Sequence, residues 1–265
     1  MDQSQHRDIP VVILCGGRGA RLQEQTEFRP KPMVEIGGQP ILWHIMKSYA
    51  HYGFKDFILC LGYKGDMIRS YFLNYEAMNN DVTVSLGKPN QIRFHRKASE
   101  DWTVTLVNTG ETAMTGARVK RIEPYIQSDL FMLTYGDGVA SLDLAKLLEY
   151  HKKQGKIGTI TGIHPPSRFG HLTTDGKNVL EFSEKPTSDG YINGGFFVFD
   201  KKFFGYLSDD DNCYLERGPL ERLAKKKELV IYPHNDFWQC MDTYRDLQLL
   251  NTLWASGKPP WRVWP

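Results

Sequence analysis

Apolar positions along the chain follow two rhythms that alternate. Ile9-Pro10-Val11-Val12-Ile13-Leu14-Cys15 is a continuous apolar run, rich in β-branched residues and closed by glycines. That is the pattern of a strand buried on both faces. From Gln39 to Tyr49 the apolar residues return at helical spacing, and Pro40 suits a first helical turn, where its missing N–H costs nothing. Gly53 ends that segment. Phe57–Leu61 repeats the buried-strand pattern, Gly62 turns the chain, and Lys64–Glu76 predicts a second helix. Strand, helix, strand, helix implies a parallel sheet with right-handed crossovers.

The same reading continues downstream. Val82–Leu86, Gln91–His95 and Thr103–Val107 alternate as short strands. Gly116–Ile126 predicts a helix carrying Arg118, Lys120 and Arg121. Leu130–Thr134 is a buried strand that ends at Tyr135-Gly136-Asp137-Gly138. An amphipathic helix over Leu142–Gln154, strands over Ile157–Ile163 and Phe196–Phe199, and helices over Leu215–Lys227 and Thr243–Ser256 follow. Between Gly170 and Glu184 the alternation turns at Asp175-Gly176, a hairpin signal. The pattern predicts one α/β domain, Rossmann-like, with a mixed and mostly parallel sheet flanked by helices and a small C-terminal elaboration.

Composition narrows the class. Of 265 residues, 41% are hydrophobic and 24% charged, which excludes a disordered chain. A net charge of +2 gives no reason to expect nucleic acid or an anionic membrane as partner. Met1–Pro10 is a polar tail without an apolar stretch, and no later run is long enough to span a bilayer, so a cytoplasmic protein is expected. Cys15, Cys60, Cys213 and Cys240 lack the spacing of a zinc or redox motif and are expected to be free thiols.

The chemistry concentrates after the first strand, in Leu14-Cys15-Gly16-Gly17-Arg18-Gly19-Ala20-Arg21-Leu22. A glycine-rich strand-to-helix loop offers backbone N–H groups and a positive dipole end to anions. Here Arg18 and Arg21 add charge, and Lys31 follows between Pro30 and Pro32, which restrict its backbone. The glycines alone would serve a tight turn equally well. The spacing matches neither G-x-G-x-x-G nor G-x-x-x-x-G-K-[ST], so neither a dinucleotide fingerprint nor a Walker loop is present. Asp137, between two glycines after a buried strand, sits where parallel sheets gather ligands, though an aspartate there also turns chains. Asp242 before Thr243 reads as readily as a helix start. Other features suggest packing: His44 beside Trp43 and Met46 reads as a packed histidine, and Lys225–Lys227 as a helix end. The aromatic C-terminal tail, with Trp254, Trp261 and Trp264, suggests a subunit interface.

The loop together with Arg29-Pro30-Lys31-Pro32-Met33-Val34-Glu35-Ile36-Gly37-Gly38-Gln39-Pro40 strongly resembles the sugar-1-phosphate nucleotidyltransferases. Leu61–Gly65, Thr134–Val139, Glu184-Lys185-Pro186, Ile192–Val198 and Phe237–Thr243 extend the resemblance, which is colinear over nearly the whole chain. It is strongest toward bacterial members that use CTP and glucose 1-phosphate. The resemblance implies Mg²⁺-dependent, in-line transfer of a cytidylyl group from CTP to α-D-glucose 1-phosphate, giving CDP-glucose and pyrophosphate for deoxysugar and polysaccharide synthesis. It implies a nucleotide-binding part over residues 11–140, a sugar-phosphate-binding and oligomerisation part over 141–265, and a homo-oligomer, with a hexamer among the assemblies it allows. For nucleotide it implies Leu14, Cys15, Gly16, Gly17, Arg18, Gly19, Ala20, Arg21, Lys31, Thr112, Ala113, Arg118 and Gly136. For sugar phosphate it implies Tyr135, Gly170, Glu184, Lys185, Asn193, Gly194 and Gly195, with Asp137 and Asp242 for the metal. Arg21, Lys31, Asp137 and Lys185 are the expected catalytic set. Three positions depart from the family pattern: Ala20 replaces a threonine, Ala117 a glycine and Cys240 a proline.

Overall fold

The computed structural model describes residues 6–87, 91–95, 100–164, 171–183 and 190–265. Seven strands form the central sheet: β1 (Val11–Leu14), β2 (Asp56–Leu61), β3 (Thr103–Asn108), β4 (Leu130–Tyr135), β5 (Gly158–Ile163), β6 (Ile192–Asp200) and β7 (Leu229–His234). Their spatial order is β7-β5-β6-β4-β1-β2-β3. All run parallel except β6, which is antiparallel to both β4 and β5. The expected mixed, mostly parallel sheet is therefore present.

The apolar run of β1 explains its central place. Val11 and Ile13 enter one hydrophobic layer while Val12 and Leu14 enter the other. The first layer is closed by α1 (Ile41–His51), α4 (Leu144–Gln154) and α6 (Tyr244–Ala255), and the second by α3 (Thr115–Arg121) and α5 (Pro219–Lys225). The hairpin expected around Asp175-Gly176 forms between His171–Thr174 and Val179–Ser183, with Gly176 at φ +104° supplying the turn.

Several helices differ from their sequence pattern for identifiable reasons. The helix expected through Glu76 is interrupted after α2 (Gly65–Leu73) at Asn74, whose side-chain amide and backbone N–H both donate to the Ser70 carbonyl, and a short helix resumes over Tyr75–Asn79. The helix expected to reach Ile126 ends at Arg121, because Pro124 has no N–H to continue it. The helix expected from Leu215 begins only at Pro219. Leu215 N–H is drawn to Thr115 Oγ1 at 2.9 Å, and Gly218 sits at φ +90°.

The aromatic tail does not form an exposed surface. Trp261 is fully buried and Trp264 nearly so, packed in their own chain around His44. His44 is fully buried as well, with Nε2 2.9 Å from the Ile36 carbonyl and Nδ1 accepting from Trp261 Nε1 at 3.4 Å. The interface expectation fails because these rings complete the first hydrophobic layer. All four cysteines are free, and among the described residues no helix is long and apolar enough to cross a membrane.

Candidate active site

Two cavities open at the C-terminal ends of β1 and β4. The first, 380 Å³, is lined by Leu14, Cys15, Gly16, Gly17, Gly19, Ala20, Arg21 and Lys31, with Ala113, Arg118, Tyr135, Gly136 and Asp137 opposite. The second, 350 Å³, is lined by Asn193, Gly194, Gly195, Glu216, Trp238, Cys240 and Asp242. Arg21, Tyr135 and Asp137 line both, so the cavities meet at these residues.

Backbone geometry shapes the first cavity. The Cys15 N–H donates to the Cys60 carbonyl and the Tyr63 N–H to the Gly16 carbonyl, which ties the loop to the end of β2. Gly19 adopts φ +63°, and a Cβ there would lie 2.8 Å from Thr26 Cγ2. Gly136 has no room for a side chain, since a Cβ would stand 2.8 Å from the Leu14 carbonyl oxygen. Arg118 fastens the wall behind. Its guanidinium is buried and donates to the carbonyls of Leu61, Gly110, Gly16 and Glu111 and to Thr109 Oγ1.

At the junction, Lys31 Nζ lies 2.6 Å from Asp137 Oδ2 and 2.7 Å from Asp242 Oδ1. Arg21 Nη1 reaches Asp242 Oδ2 at 2.8 Å while most of its side chain stays exposed. The two carboxylates, 105 positions apart in the chain (242 against 137), converge for a structural reason. Trp238–Cys240 pairs with Gly138–Ala140, and the Met241 N–H donates to the Asp137 carbonyl. Thr243 then caps α6, its hydroxyl and N–H meeting Asp246 in a capping box, so Asp242 is held just outside the helix. Burial opposes ionisation of Asp242, but hydrogen bonding and charge from Lys31, joined by Arg21, hold its carboxyl below the ordinary range. For Lys31, burial disfavours the charge, yet the two aspartates outweigh it and raise the ammonium pKa. Cys240 stands beside this pair, with Sγ 3.6 Å from Asp242 Oδ2. Burial, then the neighbouring carboxylates, push its pKa up to about 12, so it remains a thiol.

The donor set suits Mg²⁺, which takes one or two carboxylates and completes its shell with phosphate oxygens and water. Among the described residues, no group of three or more His, Cys, Asp or Glu side chains gathers to form an all-protein metal cage.

Most residues expected at the site thus line one cavity or the other. Arg18 does not; it borders a separate cavity together with Tyr63 and Glu111, the latter 3.9 Å away. The Thr112 hydroxyl donates to Asp211 at 2.5 Å and lines neither cavity. Gly170, Glu184 and Lys185 lie outside the described residues. Sequence reasoning missed Thr115, Glu216 and Trp238. Glu216 fell within an expected helix, and no local motif marked it.

Comparison with known proteins identifies the family. Residues 10–243 match the family model for nucleotidyl transferase. The chain is 50% identical over 258 residues to glucose-1-phosphate cytidylyltransferase of Salmonella typhi, covering 97% of this chain and 100% of that protein. It is 46% identical over 264 residues to the probable glucose-1-phosphate cytidylyltransferase of Bacillus subtilis, with 97% and 100% covered. HddC from Yersinia pseudotuberculosis shares the fold, with a TM-score of 0.68 at 24% identity over 93% of this chain and 99% of that one. A glycine loop facing a converged aspartate pair, matched over this length, makes the chain a member of the nucleotidyl transferase family.

Proposed function

We propose that this chain transfers the cytidylyl group of CTP to α-D-glucose 1-phosphate, forming CDP-glucose and releasing pyrophosphate. The observation that carries the proposal is the Lys31–Asp137–Asp242 cluster at the junction of the two cavities, 2.6 and 2.7 Å across its contacts. Curated cytidylyltransferases at 46–50% identity support the choice of substrates.

The chemistry follows from charge. A sugar phosphate is already anionic at neutral pH, so its oxygen needs no general base to attack the α-phosphorus. The obstacle is repulsion between two polyanions, roughly 4 kcal/mol per pair of unit charges at 4 Å and an effective dielectric near 20. In this reading the triphosphate lies along the Gly16–Gly19 loop, where exposed Arg21 tracks the departing pyrophosphate and Lys31 neutralises the transferring group. Asp137 and Asp242 would hold Mg²⁺, which when bound supplies further positive charge to the phosphates. Asn193 and the Gly194-Gly195 backbone take the sugar, Glu184 its hydroxyls and Lys185 its phosphate. The same reading assigns residues 11–140 chiefly to nucleotide and 141–265 chiefly to sugar phosphate. Homo-oligomeric assembly belongs to this reading too, and exposed Leu73, Met78, Val84, Ile92 and Phe94 offer apolar surface for it.

Pyrophosphate release from purified protein tests the proposal, with each of the common nucleoside triphosphates against a panel of sugar 1-phosphates. CTP with glucose 1-phosphate is expected to give the highest kcat/KM. A higher value for any other pair overturns the substrate assignment.

A further inference from the structure

Glu216 occupies an unusual place for a carboxylate that makes no ion pair among the described residues. It lines the second cavity, yet both of its oxygens accept hydrogen bonds from hydroxyl groups. Tyr135 Oη donates to Oε1 at 2.5 Å, and Thr115 Oγ1 donates to Oε2 at 2.8 Å. The two donors stand on different walls: Tyr135 ends β4 and borders both cavities, while Thr115 opens α3 and lines the first cavity. Thr115 Oγ1 in turn accepts from the Leu215 N–H at 2.9 Å, so its only proton is committed to Glu216.

These bonds run in one direction. Burial first, and then the facing Glu216 carboxylate, raise the Tyr135 phenol pKa far above its ordinary value, so the proton stays on Oη and points at Glu216. The phenol oxygen is left as an acceptor, and Asn193 Nδ2 donates to it at 3.3 Å. On the other side of the amide, Asn193 Oδ1 accepts the Gly195 N–H at 2.8 Å. Gly195 holds φ +80° with its Cα against the Tyr135 ring, where a Cβ would come within 2.7 Å of Cδ2. A side-chain amide has two N–H donors and two acceptor lone pairs. With one of each consumed, Asn193 offers the cavity one donor and one acceptor in a fixed order.

We propose that Glu216 is a positioning residue: by accepting the Tyr135 hydrogen bond it fixes which hydrogen-bonding face Asn193 presents to the sugar, and so sets selectivity among sugar phosphates. The inference rests on the assignment of the second cavity to the sugar. Without the carboxylate, the phenol proton can turn toward Asn193 and meet its amide donor head on, and the amide loses its fixed order.

Steady-state kinetics of Glu216→Ala, Tyr135→Phe, the double variant and Glu216→Gln test the proposal, with CTP and glucose 1-phosphate varied in turn. Glu216→Ala and Tyr135→Phe are each expected to raise the KM for glucose 1-phosphate about tenfold, the equivalent of one charge-assisted hydrogen bond. The KM for CTP stays within about twofold of wild type. The preference for glucose 1-phosphate over galactose 1-phosphate falls in parallel. The double variant is no worse than the poorer single one, since both changes cut the same relay. Glu216→Gln recovers most of the loss, because its amide oxygen still accepts from Tyr135. A structural role alone would lower Tm and leave KM and selectivity where they were, and that result overturns the proposal, as does additivity in the double variant. Should Glu216→Ala fail to fold, Tyr135→Phe decides: an unchanged KM for glucose 1-phosphate refutes the relay. A wild-type enzyme that ignores glucose 1-phosphate overturns the substrate assignment instead, and the same KM comparison is then read with the sugar phosphate it does use.

Discussion

Replacing Lys31 with methionine removes one charge from the centre of the junction while keeping much of the side-chain volume. Its Nζ contacts at 2.6 and 2.7 Å hold the facing oxygens of Asp137 and Asp242 no more than the sum of the two, about 5.3 Å, apart. At that distance and an effective dielectric near 20, two carboxylates repel by roughly 3 kcal/mol, which the ammonium now offsets. Two effects follow for Lys31→Met. Transition-state stabilisation of the transferring phosphoryl group is lost, so kcat/KM for CTP should fall at least about 100-fold, roughly 3 kcal/mol, in a pyrophosphate-release assay. Stability should acquire a new pH dependence. Against burial, Lys31 is the leading cause that holds the Asp242 carboxyl below its ordinary range, so the variant loses stability that wild type has above that range and gives up as pH falls through it. The deficit in Tm relative to wild type should therefore be largest near pH 7 and shrink toward pH 4. A variant within about threefold of wild-type kcat/KM, or a Tm deficit that does not change with pH, would refute the reasoning.

Asp137→Ala should abolish Mg²⁺-dependent turnover while the far-UV circular dichroism stays native; turnover near the wild-type rate would remove Asp137 from the metal role. His44 and His151 are buried, and burial lowers each pKa to about 4. Because these values are depressed, the unfolded chain takes up protons first, and stability present above about pH 6.5 is lost as pH falls toward 4, by about 3 kcal/mol per ring. Tm measured from pH 7 to 4.5 should fall steeply, and a flat profile would contradict both assignments. Gly37→Ala places a Cβ at φ +60° and 1.9 Å from Trp254 Cδ1, so a loss of about 2–4 kcal/mol is expected. Calorimetry should show Tm lowered by roughly 5–10 °C, and a drop under about 2 °C would disprove the clash.

How much of this was legible in the sequence depended on whether the signal was local. The runs Val11–Leu14 and Phe57–Leu61 announced strands because being buried on both faces leaves no polar position in them. The glycine loop and Lys31 were visible because tight turns and fixed prolines write themselves into adjacent residues. The meeting of Asp137 and Asp242 was not visible: it depends on a short antiparallel pairing between segments 100 residues apart, and only the family resemblance supplied it. Glu216 left no local trace, since its partners Thr115 and Tyr135 come from distant elements. The Trp-rich tail misled for a related reason: composition reports how apolar a segment is, not which surface it covers.

That tail also sets the order in which the protein can be completed. Trp254, Trp261 and Trp264 surround His44 on α1, so the first hydrophobic layer is closed by residues made some 200 positions later. At about 5–20 residues per second, the nascent α1 waits roughly 10–40 seconds for its covering. During that interval Trp43 and His44 lack the rings that later cover them, so their apolar surface stays open to solvent. Removal of the last few residues would act on the oldest part of the fold rather than the newest.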